Sequence, residues 1–305
     1  MKETSGSSGA CVVAVTGAYG FIGRHVCDAL QRGPYRVVKV NRSSEGVPDI
    51  CSDLSNAAEL ARDLRADGVK VLVHSAWAGH PRSAGTDYPG QIRDSLVPTI
   101  NTLLAAGLAG VDHVVLLGTG GGIPPARGAT APPAYGWAKR TAEGIALANA
   151  SAFQFRLAII RPSAVYGPGQ DPSRGLGAVT VFADAILRNQ PIRILGSDSV
   201  TRDFLHVGDL SEAVRCAVDA QLDGTYELGG PEGVSLRDVI TAIEHATGRT
   251  ANVELLPATG VDPQTVLLDN APFTRKTGWT PSKRVEDSLD ELLHSLATHH
   301  AGQAP

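Results

Sequence analysis

Tyr135 and Lys139 form the first pair of residues whose types and spacing could do chemistry. They stand four positions apart in a segment, residues 135–150, that has helical periodicity. Residues at this spacing share one face of a helix. A phenol has a pKa of about 10, so only about one in a thousand is ionised at neutral pH. A positive charge nearby lowers that pKa, which would make Tyr135 a usable general acid or base. The alternative is an aromatic ring packed on an alkyl stem.

Thr119 is the third candidate. It follows an apolar segment, residues 111–117, that predicts a buried strand, and it lies in the glycine-rich run 118–122. Its hydroxyl could donate a hydrogen bond to a substrate oxygen, or it could bond to the backbone at the end of the strand. A shift of one residue would leave only glycine at this place.

A glycine-rich turn near the start of the chain predicts a binding site for a dinucleotide. A β-branched run, residues 12–16, stops at glycine, and residues 21–30 begin an apolar helical pattern. Gly17, Gly20 and Gly23 lie in the turn, one residue away from the commonest dinucleotide spacing. Glycine lets the backbone approach a pyrophosphate, which would lie on free N–H groups at the positive end of the helix. The alternative is a glycine-rich turn without a ligand.

These candidates must be positioned by elements that alternate along the chain. The predicted strands and helices follow one another over residues 12–16, 21–30, 36–40, 49–54, 57–64, 69–75, 88–108, 111–117, 135–150 and 155–161. Such alternation predicts an α/β fold, a Rossmann-type doubly wound parallel sheet covered on both faces. Ligands bind beyond the carboxyl ends of such strands, so the loops after Val15, Val40, Ser75, Leu117 and Arg161 should line one cleft.

The second half of the chain has a looser pattern. Helices are expected at 179–188, 210–220, 236–247 and 285–297, with short strands at 192–195, 204–207 and 226–228. The expected organisation is a disordered tail over residues 1–10, a dinucleotide-binding domain over 11–165 and a smaller mixed α/β substrate lobe over 166–305. Part of the lobe, about residues 200–225, is expected to return to the first sheet.

Composition excludes several classes of partner. The 305 residues include 27 basic and 31 acidic side chains, for a net charge of -4, with no basic stripe. Nucleic acid and anionic membranes are therefore not expected as partners. The cysteines (Cys11, Cys27, Cys51 and Cys216) are scattered, so no metal site is expected. No apolar run suggests a signal peptide or a membrane span, and a cytoplasmic protein is expected.

Taken together, the motifs resemble those of the extended short-chain dehydrogenases/reductases, the NAD-dependent epimerase/dehydratase group that acts on nucleotide sugars. The resemblance rests on the glycine loop, on Tyr135 and Lys139, and on a hydroxyl at the end of the intervening strand. It extends over most of the chain, because residues 161–169 resemble the segment that joins the two lobes in that group. Residues 195–198 and 201–210 resemble its sugar-nucleotide stretch, and residues 226–230 continue the match.

The resemblance implies roles for particular residues. Tyr135 would be the catalytic acid/base, Lys139 would hold the nicotinamide ribose and tune Tyr135, and Thr119 would complete the catalytic set. The implied cofactor-binding residues are Gly17, Tyr19, Gly20, Phe21, Ile22, Gly23, Asn41, Arg42, Ser43, Asp53, Leu54, Ser75, Ala76, Tyr135, Lys139, Arg161, Pro162 and Ser163. The implied substrate-binding residues are Thr119, Gly120, Tyr135 and Arg202. The resemblance also implies a homodimer, formed by the helices at 88–108 and 135–150 packing as a four-helix bundle.

Two departures from the family pattern bear on the reaction. An acidic residue at the end of the second strand would bind the 2′-hydroxyl of NAD, but here Asn41, Arg42, Ser43 and Ser44 stand there. NADP(H) is therefore favoured over NAD(H), although Arg42 could instead lie on the adenine or in solvent. After Thr119, Gly120 and Gly121 replace the Asp-Glu pair of the family's dehydratases, and the usual Val-Tyr-Gly is absent.

Three functions follow as hypotheses. The first is NADPH-dependent reduction of the C4 keto group of a nucleotide-linked 4-keto-6-deoxyhexose, for example a dTDP sugar, with Tyr135 protonating the oxygen. The second is an NAD-dependent nucleotide-sugar 4-epimerase similar to UDP-glucose 4-epimerase. The third is a non-catalytic NADP-binding protein, which the presence of Tyr135 and Lys139 disfavours.

Overall fold

The elements alternate between strand and helix for most of the chain, and the computed structural model describes them over residues 10–42, 47–79, 87–120, 134–257 and 264–301. The strands are β1 (Cys11–Thr16), β2 (Tyr35–Asn41), β3 (Ile50–Cys51), β4 (Val71–His74), β5 (His113–Leu117), β6 (Arg156–Pro162), β7 (Val165–Tyr166), β8 (Ile192–Leu195), β9 (Thr201–Arg202), β10 (Leu205–His206), β11 (Gly224–Leu228), β12 (Val234–Ser235), β13 (Val253–Leu256) and β14 (Thr265–Val266). The helices are α1 (Phe21–Gln31), α2 (Ala57–Ala66), α3 (Tyr88–Gln91), α4 (Val97–Ala109), α5 (Ala134–Phe153), α6 (Ala178–Leu187), α7 (Val207–Asp219), α8 (Leu236–Thr247), α9 (Ala271–Thr277) and α10 (Leu289–Ala301).

A seven-stranded sheet forms the centre of the molecule, in the order β11-β6-β5-β4-β1-β2-β3. Every neighbouring pair in it is parallel. The strand order reverses between β1 and β4, and a ligand cleft is expected at such a switch point. The predicted doubly wound α/β fold is confirmed. The edge strand β11 comes from the second half of the chain, after α7.

Helices cover the sheet on both faces because its strands are apolar on both sides. Along β1, Val13 and Val15 pack into one core, and Ala14 packs into the other. The first core also contains residues of α1 and α7, and the second contains residues of α2, α4 and α5. A third core, around the fully buried Tyr166, holds α6, α8 and α10 together in the second lobe.

The structure differs from the predicted elements where local constraints intervene. The single helix expected over 88–108 consists of α3, a π-helical turn at Ile92–Leu96 and α4. Pro89 and Pro98 each stand in the first turn of a helix, where a missing N–H costs little. The expected third strand is only two residues long, and the two-residue strands β7, β9, β12 and β14 are too short to show a period.

His74 ties three elements together beneath the cleft. Its Nδ1 lies 2.8 Å from Thr16 Oγ1 of β1, and its Nε2 lies 2.9 Å from Thr99 Oγ1 of α4. The Thr99 hydroxyl also bonds to the Ser95 carbonyl at 2.8 Å. Burial, with a smaller contribution from the positive charge of Lys139, lowers the pKa of His74 to about 3. His74 is therefore a neutral structural bridge at physiological pH.

This bridge predicts acid sensitivity. The unfolded chain takes up a proton at His74 near pH 6.5, whereas the folded protein does so only near pH 3, so stability falls as the pH drops below about 6.5. The slope contributed by this residue is up to about 1.4 kcal/mol per pH unit. Urea unfolding between pH 6.5 and 5 should show a slope that is smaller in His74→Asn than in the wild type by this amount, because His113 and His206, whose pKa values burial also lowers, contribute to both. The exposed His245 provides the control, and His245→Asn should keep the wild-type slope. Equal slopes in wild type and His74→Asn would contradict the assignment.

Candidate active site

The glycine turn joins β1 to α1 and leaves the start of the helix open. Gly17 has φ +67°, a conformation that favours glycine. A Cβ at Gly23 would lie 2.0 Å from the Gly17 carbonyl oxygen, so only glycine allows the helix to pack this closely. No side chain caps α1, and no acidic residue lies in its first turn. The N–H groups of that first turn, at Phe21 and Ile22, have no acceptor within the helix, so the binding of an anion there stays a prediction.

The loops after β1 and β4 meet above the sheet. Ser75 Oγ donates to the Thr16 carbonyl at 2.6 Å, and the Ala76 N–H approaches Thr16 Oγ1 at 3.4 Å. A Cβ at Gly17 would meet Ala76 Cα at 2.9 Å. Ser75 and Ala76 therefore adjoin the glycine turn, although their contacts with a cofactor stay a prediction.

The end of β2 carries no carboxylate. The Asn41 carbonyl accepts from the Ser52 N–H at 2.8 Å, and the Arg42 side chain is exposed. The positive charge of Arg42 contributes, after the larger effect of Arg93, to lowering the pKa of Asp94. Ser43, the third residue expected at this place, lies outside the described residues. Tyr19 reaches the same region, where its hydroxyl donates to the Val47 carbonyl at 3.1 Å.

The loop after β3 brings Asp53 and Leu54 to the same side of the sheet. Leu54 is buried with φ +65°, and Asp53 accepts from the Ser55 N–H at 2.9 Å. Asn101 of α4 fixes this loop, since its Nδ2 donates to the carbonyls of Leu54 and Ser55 at 3.0 and 2.9 Å. The sequence analysis did not single out Asn101, because its partners lie about 46 residues away in the chain.

Thr119, Tyr135 and Lys139 are brought together at the ends of β5 and α5. The side chains of Tyr135 and Thr119 are hydrogen-bonded to each other. Lys139 is only 7 % exposed, and its Nζ donates to the Leu117 carbonyl at 2.8 Å. The three predicted catalytic residues therefore form one cluster at the carboxyl end of the sheet.

Burial dominates the electrostatics of this cluster. It raises the pKa of Tyr135 to about 12, against the opposing effect of the hydrogen bond from Thr119. It also lowers the pKa of Lys139 to about 7, against the opposing effect of the Glu143 carboxylate. In the folded chain, burial thus outweighs the lowering of the tyrosine pKa expected from Lys139, and the effect of a nicotinamide cation stays a prediction. The reason is that burial of the Tyr135 phenol disfavours its charged form.

Glu143 is a buried carboxylate one helical turn after Lys139. It pairs with Arg161 through Nε–Oε1 and Nη2–Oε2 distances of 3.1 and 2.7 Å, and with Arg140 at 3.1 Å. Arg161, expected among the cofactor-binding residues, is held by this pair and by Glu227 at 3.6 Å. The spacing of four residues from Lys139 was a signal that could have singled out Glu143.

The residues after β6 are held by the backbone of neighbouring loops. The Gly120 N–H donates to the Pro162 carbonyl at 2.8 Å, and the Ser163 N–H donates to the Leu228 carbonyl at 2.8 Å. The Ser163 hydroxyl also bonds to the buried Asp203 carboxylate, next to Arg202. Arg202 is half-buried and donates to the Thr201 carbonyl at 2.7 Å, so its contact with a substrate stays a prediction.

Trp77 is part of the cluster, although no motif pointed to it. Its ring centroid lies 4.0 Å from Lys139 Nζ and 6.2 Å from the ring centroid of Tyr135, in an edge-to-face arrangement.

In the parts of the chain that the structure describes, no helix is long and apolar enough to cross a membrane. Over the same residues, no three His, Cys, Asp or Glu side chains come together as metal ligands.

Comparisons with known proteins point to one family. The model of the family described as "NAD dependent epimerase/dehydratase family" matches residues 13–229. A UDP-glucose 4-epimerase of Mycolicibacterium smegmatis is 29% identical over 92% of this chain and 96% of its own length. A dTDP-4-dehydro-6-deoxy-D-allose reductase of Streptomyces bikiniensis is 28% identical over 94% of this chain and 96% of its own length.

Among solved structures, the UDP-glucose 4-epimerase of Thermus thermophilus in complex with NAD is similar over most of the fold. It superposes with a TM-score of 0.82 at 26% identity, over 94% of this chain and 99% of that one. The family resemblance seen in the motifs is confirmed, and the chain belongs to the NAD-dependent epimerase/dehydratase family.

Proposed function

We propose that this protein is an NAD-dependent nucleotide-sugar 4-epimerase, with a UDP-hexose as its substrate. The observation that carries the proposal is the hydrogen-bonded pair of Tyr135 and Thr119 beside the buried Lys139. This arrangement suits proton transfer to and from the oxygen of a hydroxyl or keto group. The comparisons favour epimerisation over reduction, because the relatives include UDP-glucose 4-epimerases and a solved relative holds NAD.

The glycine turn fits a dinucleotide. Because Gly17 and Gly23 have no Cβ atoms, β1, α1 and Ala76 can lie close together. A Cβ at either position would collide with these neighbours. The uncapped start of α1 leaves N–H donors for a pyrophosphate. Bound NAD would supply the acceptor for the hydride that leaves C4 of the sugar.

The chain's own residues would handle the proton. Tyr135 takes the proton of the C4 hydroxyl and returns it to the keto oxygen, and the Thr119 hydroxyl donates a hydrogen bond that orients this oxygen. The Lys139 ammonium favours the phenolate, so its charge determines how readily Tyr135 gives up its proton. Burial of the cluster strengthens each of these interactions, because little water screens them.

The second candidate is NADPH-dependent reduction of a nucleotide-linked 4-keto-6-deoxyhexose. One observation favours it: β2 ends at Asn41 and Arg42, so no carboxylate at these two positions would repel a 2′-phosphate. The dTDP-4-dehydro-6-deoxy-D-allose reductase of Streptomyces bikiniensis is 28% identical to this chain, against 29% for the epimerase of Mycolicibacterium smegmatis. The NADP preference expected from the sequence finds no support in the solved relative, whose complex contains NAD.

Cofactor identity separates these two candidates. Denaturing the purified protein should release NAD, and the emptied protein should bind NADH at least about tenfold more tightly than NADPH. In this case Arg42→Ala leaves NADH affinity within about twofold, because no phosphate depends on the guanidinium. Fluorescence titration measures both affinities. Tighter binding of NADPH, lost in Arg42→Ala, would instead support the reductase.

Substitution of Tyr135 tests the catalytic assignment. Tyr135→Phe removes the acid/base and should lower kcat by about 10²–10⁴-fold, with NAD affinity changed less than threefold. The measurement is interconversion of UDP-glucose and UDP-galactose. Tyr226→Phe is the matched control, because the Tyr226 hydroxyl donates to the Asp223 carbonyl at 2.9 Å, far along the chain from the cluster. Unchanged turnover in Tyr135→Phe would rule the mechanism out.

We further propose that the protein is a homodimer that pairs α4 and α5 with their copies. Apolar side chains remain exposed along these helices: Val97 and Leu108 are 42% and 43% exposed, and Leu147 is 57% exposed. Leu147→Glu would place a carboxylate in this interface and should yield a monomer by sedimentation at micromolar concentration. The control is Leu255→Glu on β13, which is 56% exposed and outside both helices. A monomeric wild type would disprove the dimer.

A further inference from the structure

Trp77 contacts both Tyr135, the proposed acid/base, and Lys139, the cation proposed to favour its phenolate. It follows β4 by three positions, and its indole face lies 4.0 Å from the Lys139 ammonium. Its ring meets the Tyr135 ring edge to face, at 6.2 Å between centroids and 82° between planes. Both distances lie within the range of favourable aromatic and cation–π interactions.

Ring contacts, not a hydrogen bond, hold this indole in place. Its Nε1 is buried and has no hydrogen-bond partner among the residues that the structure describes. A buried indole N–H usually finds an acceptor, so the position of this side chain is not explained by polar pairing within those residues. What the ring does contact is the pair formed by Lys139 and Tyr135.

Lys139 needs such a neighbour because it is a buried cation. The groups that face it come from each adjoining element: the Leu117 carbonyl of β5, the Glu143 carboxylate of α5 and the neutral His74 of β4. Glu143 is already engaged by Arg161 and Arg140, so its negative charge is shared among three cations. A desolvated aromatic face attracts an ammonium without bringing in a further charge.

We propose that Trp77 is a positioning residue of the active site, which holds the Lys139 ammonium against its indole face and opposite the Leu117 carbonyl. An ammonium has three N–H donors. One N–H donates to the Leu117 carbonyl, and a second faces the indole ring. The third N–H is left for a hydroxyl of the bound cofactor or for Tyr135. This role rests on the proposed function of Lys139 in the same site.

The consequence is that Lys139 keeps part of its charge at neutral pH. Burial lowers its pKa to about 7, so the charged and neutral forms of Lys139 are present in similar amounts near neutral pH. Loss of the aromatic face removes a stabilising contact of the charged form only, and the lysine then loses its proton at lower pH. Tyr135 loses its charged neighbour over the same pH range.

The test is a direct titration of Lys139 in the whole, cofactor-free protein. The chain contains only six lysines, so ¹³C NMR of protein labelled at the lysine ε-carbon gives few signals, and Lys139→Met assigns the one that titrates near neutrality. Trp77→Leu and Trp77→Met lack a ring and should lower this midpoint by about one pH unit. Trp77→Phe keeps a ring and should lower it by less than about half a unit. Trp137→Leu is the matched control, since Trp137 contacts Tyr88 and not Lys139 and should leave the midpoint unchanged.

The outcomes separate this role from the proposed reaction. If the ringless variants titrate within about 0.3 pH unit of the wild type, or if Trp137→Leu shifts the midpoint equally, the proposal is overturned. If they shift as expected while no variant turns over UDP-sugars, the positioning role stands and the epimerase assignment fails. With turnover present, the alkaline decline of kcat/KM should move to lower pH in Trp77→Leu, whereas a merely structural role of Trp77 would lower kcat without this shift.

Discussion

The burial of the Lys139 ammonium is the interaction on which the arrangement of the active site depends. A buried cation is costly unless other groups compensate for the water it has lost. Here four elements contribute to that compensation: β5 through the Leu117 carbonyl, the loop after β4 through Trp77, and α5 with β6 through the pair of Glu143 and Arg161. Tyr135 and Thr119 lie next to this centre, so the same contacts that hold the lysine also define where a proton can be exchanged.

A second constraint acts at the glycine turn, where the backbone segments lie close together. A side chain at Gly23 would collide with the Gly17 carbonyl, and one at Gly17 would collide with Ala76. Close approach therefore brings the start of α1 against the loop after β4, the loop that also carries Trp77. This contact connects the start of α1, where we propose that the pyrophosphate binds, with the cluster of Tyr135, Thr119 and Lys139. A dinucleotide lying across the switch point would span both.

The choice between epimerisation and reduction depends on which cofactor the protein binds, and not on the cluster of Tyr135, Thr119 and Lys139. Both reactions need an acid/base, a hydrogen-bond donor and a nearby cation, and both are served by Tyr135, Thr119 and Lys139. The difference lies at the end of β2, where Asn41 and Arg42 stand in place of a carboxylate. Arg42 is exposed, and its positive charge contributes less than Arg93 to lowering the pKa of Asp94.

Much of this protein could be predicted from the sequence, because the deciding signals are local. The alternation of β-branched and amphipathic segments predicted the doubly wound sheet, and the spacings of Gly17, Gly20 and Gly23 and of Tyr135 and Lys139 predicted the family. Only the tertiary structure decided which way the tyrosine and lysine pKa values move, since burial depends on what packs around a side chain and not on its neighbours in the chain. The same reason explains why Glu143, Asn101 and Trp77 emerged only from the fold: their partners are brought to them by the sheet, from 18 residues away for Arg161 and 46 for Ser55.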